Sequence, residues 1–181
     1  MRRCARNCFL VVAAAALLPA CQTEPPTPVL IVGQLPPQRT VIAQVSFGGV
    51  EPDLWFSIPI SLSQVGELDI TVDWTNDDTW MYVYWGNAEC GFDQLTTGTC
   101  SFLIRSETKD PKPRILYTSI STPATYYLYL YNVPRQPALG IGSDNIEAVA
   151  FQLGLTVGGS ATPSENVVRL GQPTVVRRPG S

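Results

Sequence analysis

The chain of 181 residues contains no histidine and only two lysines, Lys109 and Lys112. The lack of imidazole excludes a Ser-His-Asp triad, a Cys-His pair, histidine-ligated zinc and a histidine pH switch. No Gly-x-Ser-x-Gly motif of serine hydrolases is present, and nothing in the sequence pairs two carboxylates for glycoside hydrolysis. Charged residues are also scarce, at 15% of the chain. We therefore predict a protein that is not an enzyme and holds no cofactor.

The N-terminus has the organisation of an export signal. Arg2, Arg3 and Arg6 form a positively charged region, and an apolar stretch follows at positions 9–18. A membrane-spanning helix needs about twenty apolar residues, whereas the core of a signal peptide has roughly half that number. The sequence therefore predicts a cleaved signal peptide over residues 1–20.

The segment Leu18-Pro19-Ala20-Cys21 resembles the lipobox of bacterial lipoproteins, although Pro19 replaces the small residue usual there. The resemblance implies that Cys21 becomes the first residue after cleavage and that its thiol is lipidated, with acyl chains such as palmitate anchoring the protein. Gln22 is not the Asp that tends to mark inner-membrane retention. The resemblance thus implies a location in the cell envelope, at the outer membrane if the source is Gram-negative. The alternative is an ordinary secretory signal that ends near a cysteine.

The segment after Cys21 carries 15 acidic and nine basic residues. This acidic excess argues against a nucleic-acid partner, which needs a basic face, and against electrostatic docking on anionic lipid. Acyl chains alone would then hold the protein at the membrane, and two or three chains bind stably where one does not. Prolines concentrate after the cysteine, so residues 21–39 are predicted to form the lipidated end and an extended tether.

Two cysteines remain after the signal and Cys21 are set aside, namely Cys90 and Cys100. An even pair in an exported protein favours a disulfide. Closing so short a loop contributes about 2–3 kcal/mol in the chain-entropy model. Two free thiols are the alternative, while a metal site is disfavoured because two cysteines cannot complete a tetrahedral ligand set.

From residue 40 onward, apolar and polar residues alternate, as in half-buried antiparallel strands. The clearest segment is Leu68–Trp74, and the other predicted strands cover 41–47, 54–58, 80–85, 101–105, 115–119, 125–133 and 149–157. Glycine, proline and Asx residues separate them. This spacing predicts an all-β, two-sheet antiparallel β-sandwich of about eight strands over residues 40–157.

Two regions of this prediction are ambiguous. Asp144 and Glu147 have the spacing of a capping box, so residues 146–150 are a short helix in one interpretation and the start of a strand in the other. The residues 158–181 are predicted to be a flexible C-terminal tail, in which 166–170 could add an edge strand.

Three stretches are similar to the bacterial pre-peptidase C-terminal domain family: Phe56-Ser57-Ile58, the strand 66–72 with the acidic turn before 80–84, and the segment 124–130 with its Tyr-Tyr pair. Ala124 departs from the Gly frequent in the family, and the turn echoes its Asp-Leu-Asp-x-Tyr motif only loosely. The family is a small jelly-roll-like β-sandwich appended to secreted peptidases and found in lipoproteins. The resemblance therefore implies a jelly-roll-like fold and an accessory role.

Aromatic residues form two rows. Tyr127, Tyr129 and Tyr131 share one face of their strand, and Trp80 and Tyr82 begin a similar row that continues at position 84. A flat aromatic ring covers the apolar face of a pyranose, so an exposed row predicts a glycan-binding surface. The alternative is packing, because aromatic residues also fill pleated surfaces.

Oxygen-bearing side chains cluster at Asp73, Asn76, Asp77 and Asp78. Calcium prefers six to eight oxygen ligands, so a calcium site is one interpretation, although the spacing does not match an EF-hand. The other interpretation is a polar hairpin turn, where Asx residues are favoured.

These observations together predict a lipid-anchored cell-envelope β-sandwich of accessory or binding type. Its partners would be the membrane, through the acyl chains, and either a polysaccharide bound by the Tyr and Trp rows or an envelope protein. In the last case the chain would be a structural subunit that docks through an exposed sheet edge.

Overall fold

The structure is a computed structural model that describes residues 37–158 and 163–177. The predicted signal peptide and the predicted lipidation site Cys21 lie outside the described residues. Within the described ranges the chain forms ten strands and one short helix. None of the helical structure in these ranges is long and apolar enough to cross a membrane.

All eight predicted strands are present, which confirms the alternating pattern as strand. The first four are β1 (Arg39–Val50), β2 (Trp55–Leu62), β3 (Gly66–Trp74) and β4 (Met81–Gly86). The next four are β5 (Phe102–Ser106), β6 (Arg114–Ile120), β7 (Ala124–Asn132) and β8 (Glu147–Thr156).

The strands form two antiparallel sheets. One has the order β1-β8-β3-β6, and the other contains the run β2-β7-β4-β5. The chain therefore behaves as one long hairpin that turns between β4 and β5, so that β3 pairs with β6, β2 with β7, and β1 with β8. Rolled into two sheets, this arrangement is a jelly roll, which confirms the predicted fold class.

The core lies between the two sheets. Because successive side chains of a strand point to opposite faces, every second residue faces inward. On β3, Leu68, Ile70 and Val72 point inward and are buried. Alternate residues of β8, such as Phe151, extend this layer within the same sheet, and alternate residues of β2, β4 and β7, such as Leu128, face it from the other sheet. Each large side chain buried in this way contributes roughly 1.5–3 kcal/mol to folding, so the apolar positions of the alternating segments hold the sheets together.

The C-terminal stretch differs from the predicted flexible tail. Residues 168–170 form β9 (Val168–Leu170) and residues 174–176 form β10 (Thr174–Val176), and both pair with β2. The prediction of a tail is therefore wrong for residues 163–177, whereas the alternative of an edge strand at 166–170 is confirmed. The physical reason is that β2 would otherwise expose its backbone groups at the sheet edge, while Val175 and other tail residues pack on the core.

The segment with the capping-box spacing is the start of β8, so the strand interpretation is confirmed. Glu147 is fully buried there. Its carboxylate accepts hydrogen bonds from the Asn76 backbone N–H and side-chain amide at 2.9 Å and from the Thr79 hydroxyl at 2.5 Å. The acidic side chain thus holds the β3–β4 turn against β8 instead of capping a helix.

The sequence pattern did not predict the helix α1 (Phe92–Thr96), which lies between the two cysteines. It begins after Gly91, whose N–H donates to the side-chain oxygen of Gln94 at 2.9 Å. Only Leu95 of this helix is buried. Five residues are too few to show the helical period, so the segment reads as a loop in the sequence.

Candidate functional site

The predicted aromatic rows meet on the outer face of the sheet that contains β2, β7 and β4. Tyr82 of β4 is in register with Tyr131 of β7, and Tyr84 is in register with Tyr129. On the other side of β7, Trp55 of β2 is also in register with Tyr131. Side chains that share a face in adjacent strands contact each other, so three strands build one continuous aromatic surface.

The rings of this surface contact one another closely. Trp55 stacks on Tyr131 with ring centres 4.7 Å apart and lies 5.4 Å from the ring of Tyr84. Tyr82 lies 5.9 Å from Tyr131, and Phe102 of β5 lies 4.6 Å from Tyr84. These separations fall in the range of favourable aromatic pairs. The cluster is therefore preformed by packing within the protein.

Residues 87–101, here called the wall segment, stand against this surface. The segment contains α1 and the predicted disulfide between Cys90 and Cys100, which the structure confirms with a Cα–Cα distance of 6.0 Å. The hydroxyl of Tyr129 donates to the Ala88 carbonyl at 2.9 Å and accepts from the Cys90 N–H at 2.8 Å. Tyr129 is fully buried, so the structure places it as the support of the wall segment and not on an exposed face.

A cavity of about 420 Å³, here called the aromatic cleft, lies between the wall segment and the sheet. Trp55 and Tyr84 form its buried floor, and Tyr82 and Tyr131 are half-buried beside them. Leu95 and residues 96–98 line the cleft from the wall segment. Its size is within the roughly 300–1,000 Å³ of small-molecule sites.

Two charged side chains lie at the rim of the aromatic cleft. The Arg105 guanidinium sits 4.9 Å above the ring of Phe102, and one of its nitrogens donates to the carbonyls of Gly98 at 3.3 Å and Cys100 at 3.2 Å. Glu107 accepts a hydrogen bond from the Tyr84 hydroxyl at 2.5 Å. Arg105 thereby ties the wall segment to β5, and both charges remain exposed to a ligand.

The phenols of the cleft are held in their neutral form. Burial raises the pKa of Tyr84 above its ordinary value, and the hydrogen bond to Glu107 raises it further. Burial also raises the pKa of Tyr131, together with the bond that its hydroxyl donates to Asp53 at 2.7 Å. At any physiological pH these side chains therefore act as neutral donors and ring surfaces.

The other predicted aromatic residues lie elsewhere. Tyr127 is half-buried and stacks on Tyr129 with ring centres 6.1 Å apart, outside the lining of the cleft. Trp80 precedes β4 and lines a separate depression with Lys109 and Arg135. Of the five residues predicted for ligand binding, Tyr82 and Tyr131 therefore line the aromatic cleft.

Several residues of the cleft were not predicted from the sequence. They are Trp55, Leu95, Phe102, Arg105 and Glu107. Trp55 could have been identified from the sequence. It immediately precedes the inward-facing residues of β2, so alternation places its side chain on the outward face. The others depend on how the β4–β5 connection folds back on the sheet, and local alternation does not contain that information.

The predicted calcium cluster lies at the β3–β4 turn beside a lysine. The Lys112 ammonium is 2.8 Å from the Asp77 carboxylate and 3.8 Å from that of Asp73. Its hydrogen bond and positive charge lower the pKa of Asp77. Asn76 bonds Glu147, and Asp78 accepts from Asn145 at 3.0 Å. Residues 37–158 and 163–177 contain no group of three or more acidic or cysteine side chains placed to hold a metal, and calcium binding stays a prediction.

By sequence, the chain matches no profile of a known protein family and no curated protein. Among solved structures, it is similar to the Yersinia pseudotuberculosis-derived mitogen, with 12% identity, a TM-score of 0.42, and coverage of 74% of this chain and 95% of the mitogen. It is also similar to a family two carbohydrate esterase from Cellvibrio japonicus, with 12% identity, a TM-score of 0.29, and coverage of 71% of this chain and 33% of the esterase.

Proposed function

We propose that the protein is a lipid-anchored, non-catalytic binding protein of the cell envelope that takes its ligand in the aromatic cleft. The anchor would be the acylated Cys21, and the proline-rich stretch that follows it within residues 21–39 would act as the tether between lipid and sandwich. The observation that carries the binding role is the preformed cleft between the outer face of a sheet and the disulfide-closed wall segment.

The geometry of the cleft supports binding more than packing alone. Tyr129 is a ring that serves stability, since it is fully buried under the wall segment. Tyr82 and Tyr131 instead stay half-buried beside an open cavity, with Arg105 and Glu107 at its rim. Small-molecule sites combine an apolar lining with a few polar groups in this way.

The anchoring is tested in the producing cell. We expect the protein to fractionate with membranes, to begin at residue 21 and to carry acyl mass on that cysteine. Cys21→Ser should lose the acyl mass and leave the membrane fraction. A purified product that retains residues 1–20, or that has no lipid on Cys21, would overturn the envelope assignment.

The binding role is tested on the full protein solubilised from membranes in detergent. Separated envelope fractions, namely polysaccharide, peptidoglycan and phospholipid vesicles, are added, and amide hydrogen exchange is followed. We expect one fraction to protect the backbone of β4 and of residues 96–98. Protection by none of the fractions, or protection confined to the four-stranded sheet, would contradict a ligand site in the cleft.

A further inference from the structure

We infer that the aromatic cleft binds a neutral saccharide, with one sugar ring stacked on Tyr82 and its hydroxyls bonded by Arg105 and Glu107. This inference rests on the proposed function and names the ligand class of the same site. Three properties of the cleft support it: the exposed ring surface, the free hydrogen-bonding groups and the balance of charge.

The ring surface suits the apolar face of a sugar. Trp55 and Tyr84 are almost fully buried in the floor, at 5% and 6% exposure, so their positions are fixed by neighbouring rings. Tyr82 is half-buried, lies beside Tyr84 with ring centres 6.2 Å apart and nearly parallel planes, and faces the cavity. A rigid, partly exposed ring offers contact area at little cost in conformational entropy.

Several polar groups at the rim have unused hydrogen-bonding capacity. Glu107 uses one carboxylate oxygen for the Tyr84 hydroxyl, which leaves the second oxygen as an acceptor. Arg105 bonds the wall segment through one nitrogen and retains its other N–H donors. The Tyr82 hydroxyl has no hydrogen-bond partner in the described ranges. Donors and acceptors of this kind match sugar hydroxyls, because each hydroxyl both donates and accepts.

The charges at the rim favour a neutral ligand. Arg105 and Glu107 are exposed on the same rim and make no ion pair with each other among the described residues. Because the two side chains carry opposite charges, an anionic sugar would be attracted by Arg105 but repelled by Glu107, and a cationic sugar the reverse, so the rim gives neither a net attraction. A neutral saccharide can bond both groups, since hydrogen bonds to charged side chains are stronger than neutral ones.

The size of the cleft sets the length of the ligand. Its volume of about 420 Å³ lies in the lower part of the small-molecule range. Leu95 and residues 96–98 of the wall segment stand over the sheet at this point. The site is therefore suited to a mono- or disaccharide unit and not to a long flat surface of a polymer.

The inference is tested by titrating the detergent-solubilised full protein with defined sugars and following tryptophan fluorescence. The neutral probes are glucose, galactose, N-acetylglucosamine, maltose and lactose, and the charged probes are glucuronate and glucosamine. We expect at least one neutral sugar to bind more tightly than the charged ones. Tyr82→Ala should weaken that binding roughly tenfold or more, because stacking is lost.

Two further variants distinguish a loss of ligand contact from a general loss of folded protein. Tyr82→Phe retains the ring and should weaken binding less than Tyr82→Ala, while Tyr117→Ala on the opposite sheet removes an exposed tyrosine and should change nothing. Equal weakening by Tyr117→Ala, or a preference for a charged sugar, would overturn the inference. So would Tyr82-dependent binding of a synthetic proline-rich peptide of residues 22–37 without binding of any sugar, since extended proline segments also dock in aromatic grooves.

The failure of this inference is distinguishable from failure of the proposed function. If no neutral sugar binds but an envelope fraction still protects the cleft from hydrogen exchange, the saccharide inference is wrong and the binding role stands. If neither a sugar nor an envelope fraction affects the cleft, both are wrong.

Discussion

The outer faces of the two sheets have opposite characters. Outside β2, β7 and β4 the surface consists of aromatic rings, most of them buried or half-buried, under the wall segment. Outside β3, β6 and β8 the surface is open and carries paired polar side chains beside exposed residues such as Ile115. There, Arg39 donates to the carboxylate of Asp69 at 2.7 Å, the Ser119 hydroxyl donates to Glu67 at 2.7 Å, and Tyr117 is 73% exposed.

The same strand pattern therefore leads to two different surfaces. Both sheets bury their inner residues by alternation, and the difference lies in what covers the outer residues. The wall segment supplies Leu95 and the disulfide to the aromatic face, whereas polar side chains pair with each other on the open face. An aromatic outer row is thus tolerated because a separate, cross-linked part of the chain shields it.

Replacing Tyr129, which supports the wall segment, should give the largest change in the free energy of unfolding. Tyr129→Ala deletes a fully buried ring and both hydrogen bonds to residues 88–90. We expect a loss of about 3–5 kcal/mol in the free energy of unfolding, measured by urea denaturation. The matched change Tyr117→Ala on the open face should stay within about 0.5 kcal/mol. Similar losses for the two variants would show that the faces do not differ as described.

Breaking the disulfide should loosen the wall segment without removing any ring. Cys90→Ala with Cys100→Ala is expected to lower the free energy of unfolding by about 2–3 kcal/mol. Hydrogen exchange should speed up in residues 87–101, while β3 and β6 keep their protection. If the open face is affected as strongly as the wall segment, the covering role assigned to the disulfide loop is incorrect.

The buried phenols of the aromatic face should also make the protein less stable at alkaline pH. The pKa values of Tyr84 and Tyr131 are raised in the folded state, so their neutral forms stabilise the fold fully below the ordinary value of 10.0. As the pH rises above that value, the unfolded chain loses protons that the folded chain retains. Stability should then fall by roughly 1 kcal/mol per pH unit for each phenol.

Chemical denaturation between pH 9 and 11.5 measures this effect. Tyr84→Phe removes one titrating group and should reduce the slope of stability against pH. Tyr117→Phe, which removes the hydroxyl of an exposed side chain, serves as the matched substitution control. A slope that is independent of Tyr84 would contradict the burial described for its phenol.

The smallest expected effect concerns the open face. A Cβ atom on Gly154 would collide with the Asp69 carboxylate and the Arg39 guanidinium, so Gly154→Ala should push this partly exposed ion pair apart. The loss should be about 1 kcal/mol, since the side-chain ends can move and such pairs contribute little. Gly158→Ala, whose Cβ would meet nothing within 4 Å, is the control. Thermal unfolding that separates the two variants by more than about 3 kcal/mol would contradict a flexible, weakly coupled pair.

Local sequence patterns predicted the strands because alternation is a local property. Each of the eight predicted segments contains its own inward apolar residues, as in Leu68, Ile70 and Val72 of β3, and no long-range information is needed to read them. The disulfide was predicted from the two cysteines that remain when the predicted signal peptide and Cys21 are set aside. The strand β10 was missed because three residues are too few for a period to emerge, and the equally short β9 was foreseen only as an alternative edge strand at 166–170.

The site was predictable only in part. Tyr82 and Tyr131 were visible as members of outward rows, but whether an outward row meets water depends on what lies over it. Phe102, Arg105 and Glu107 enter the aromatic cleft because β5 follows the wall segment and pairs with β4. This pairing brings together residues about twenty positions apart, so it cannot be predicted from the alternation within either strand.

The sequence by itself determined an antiparallel sandwich, since the inward apolar residues can be buried only by packing one sheet on another. It also favoured a cross-link between Cys90 and Cys100 over two free thiols, because no other cysteine follows position 21. The tertiary structure decided which tyrosines are buried, which line a cavity and which face water. Alternation sets on which side of a strand a residue lies, whereas the folding of distant segments over that side sets its exposure.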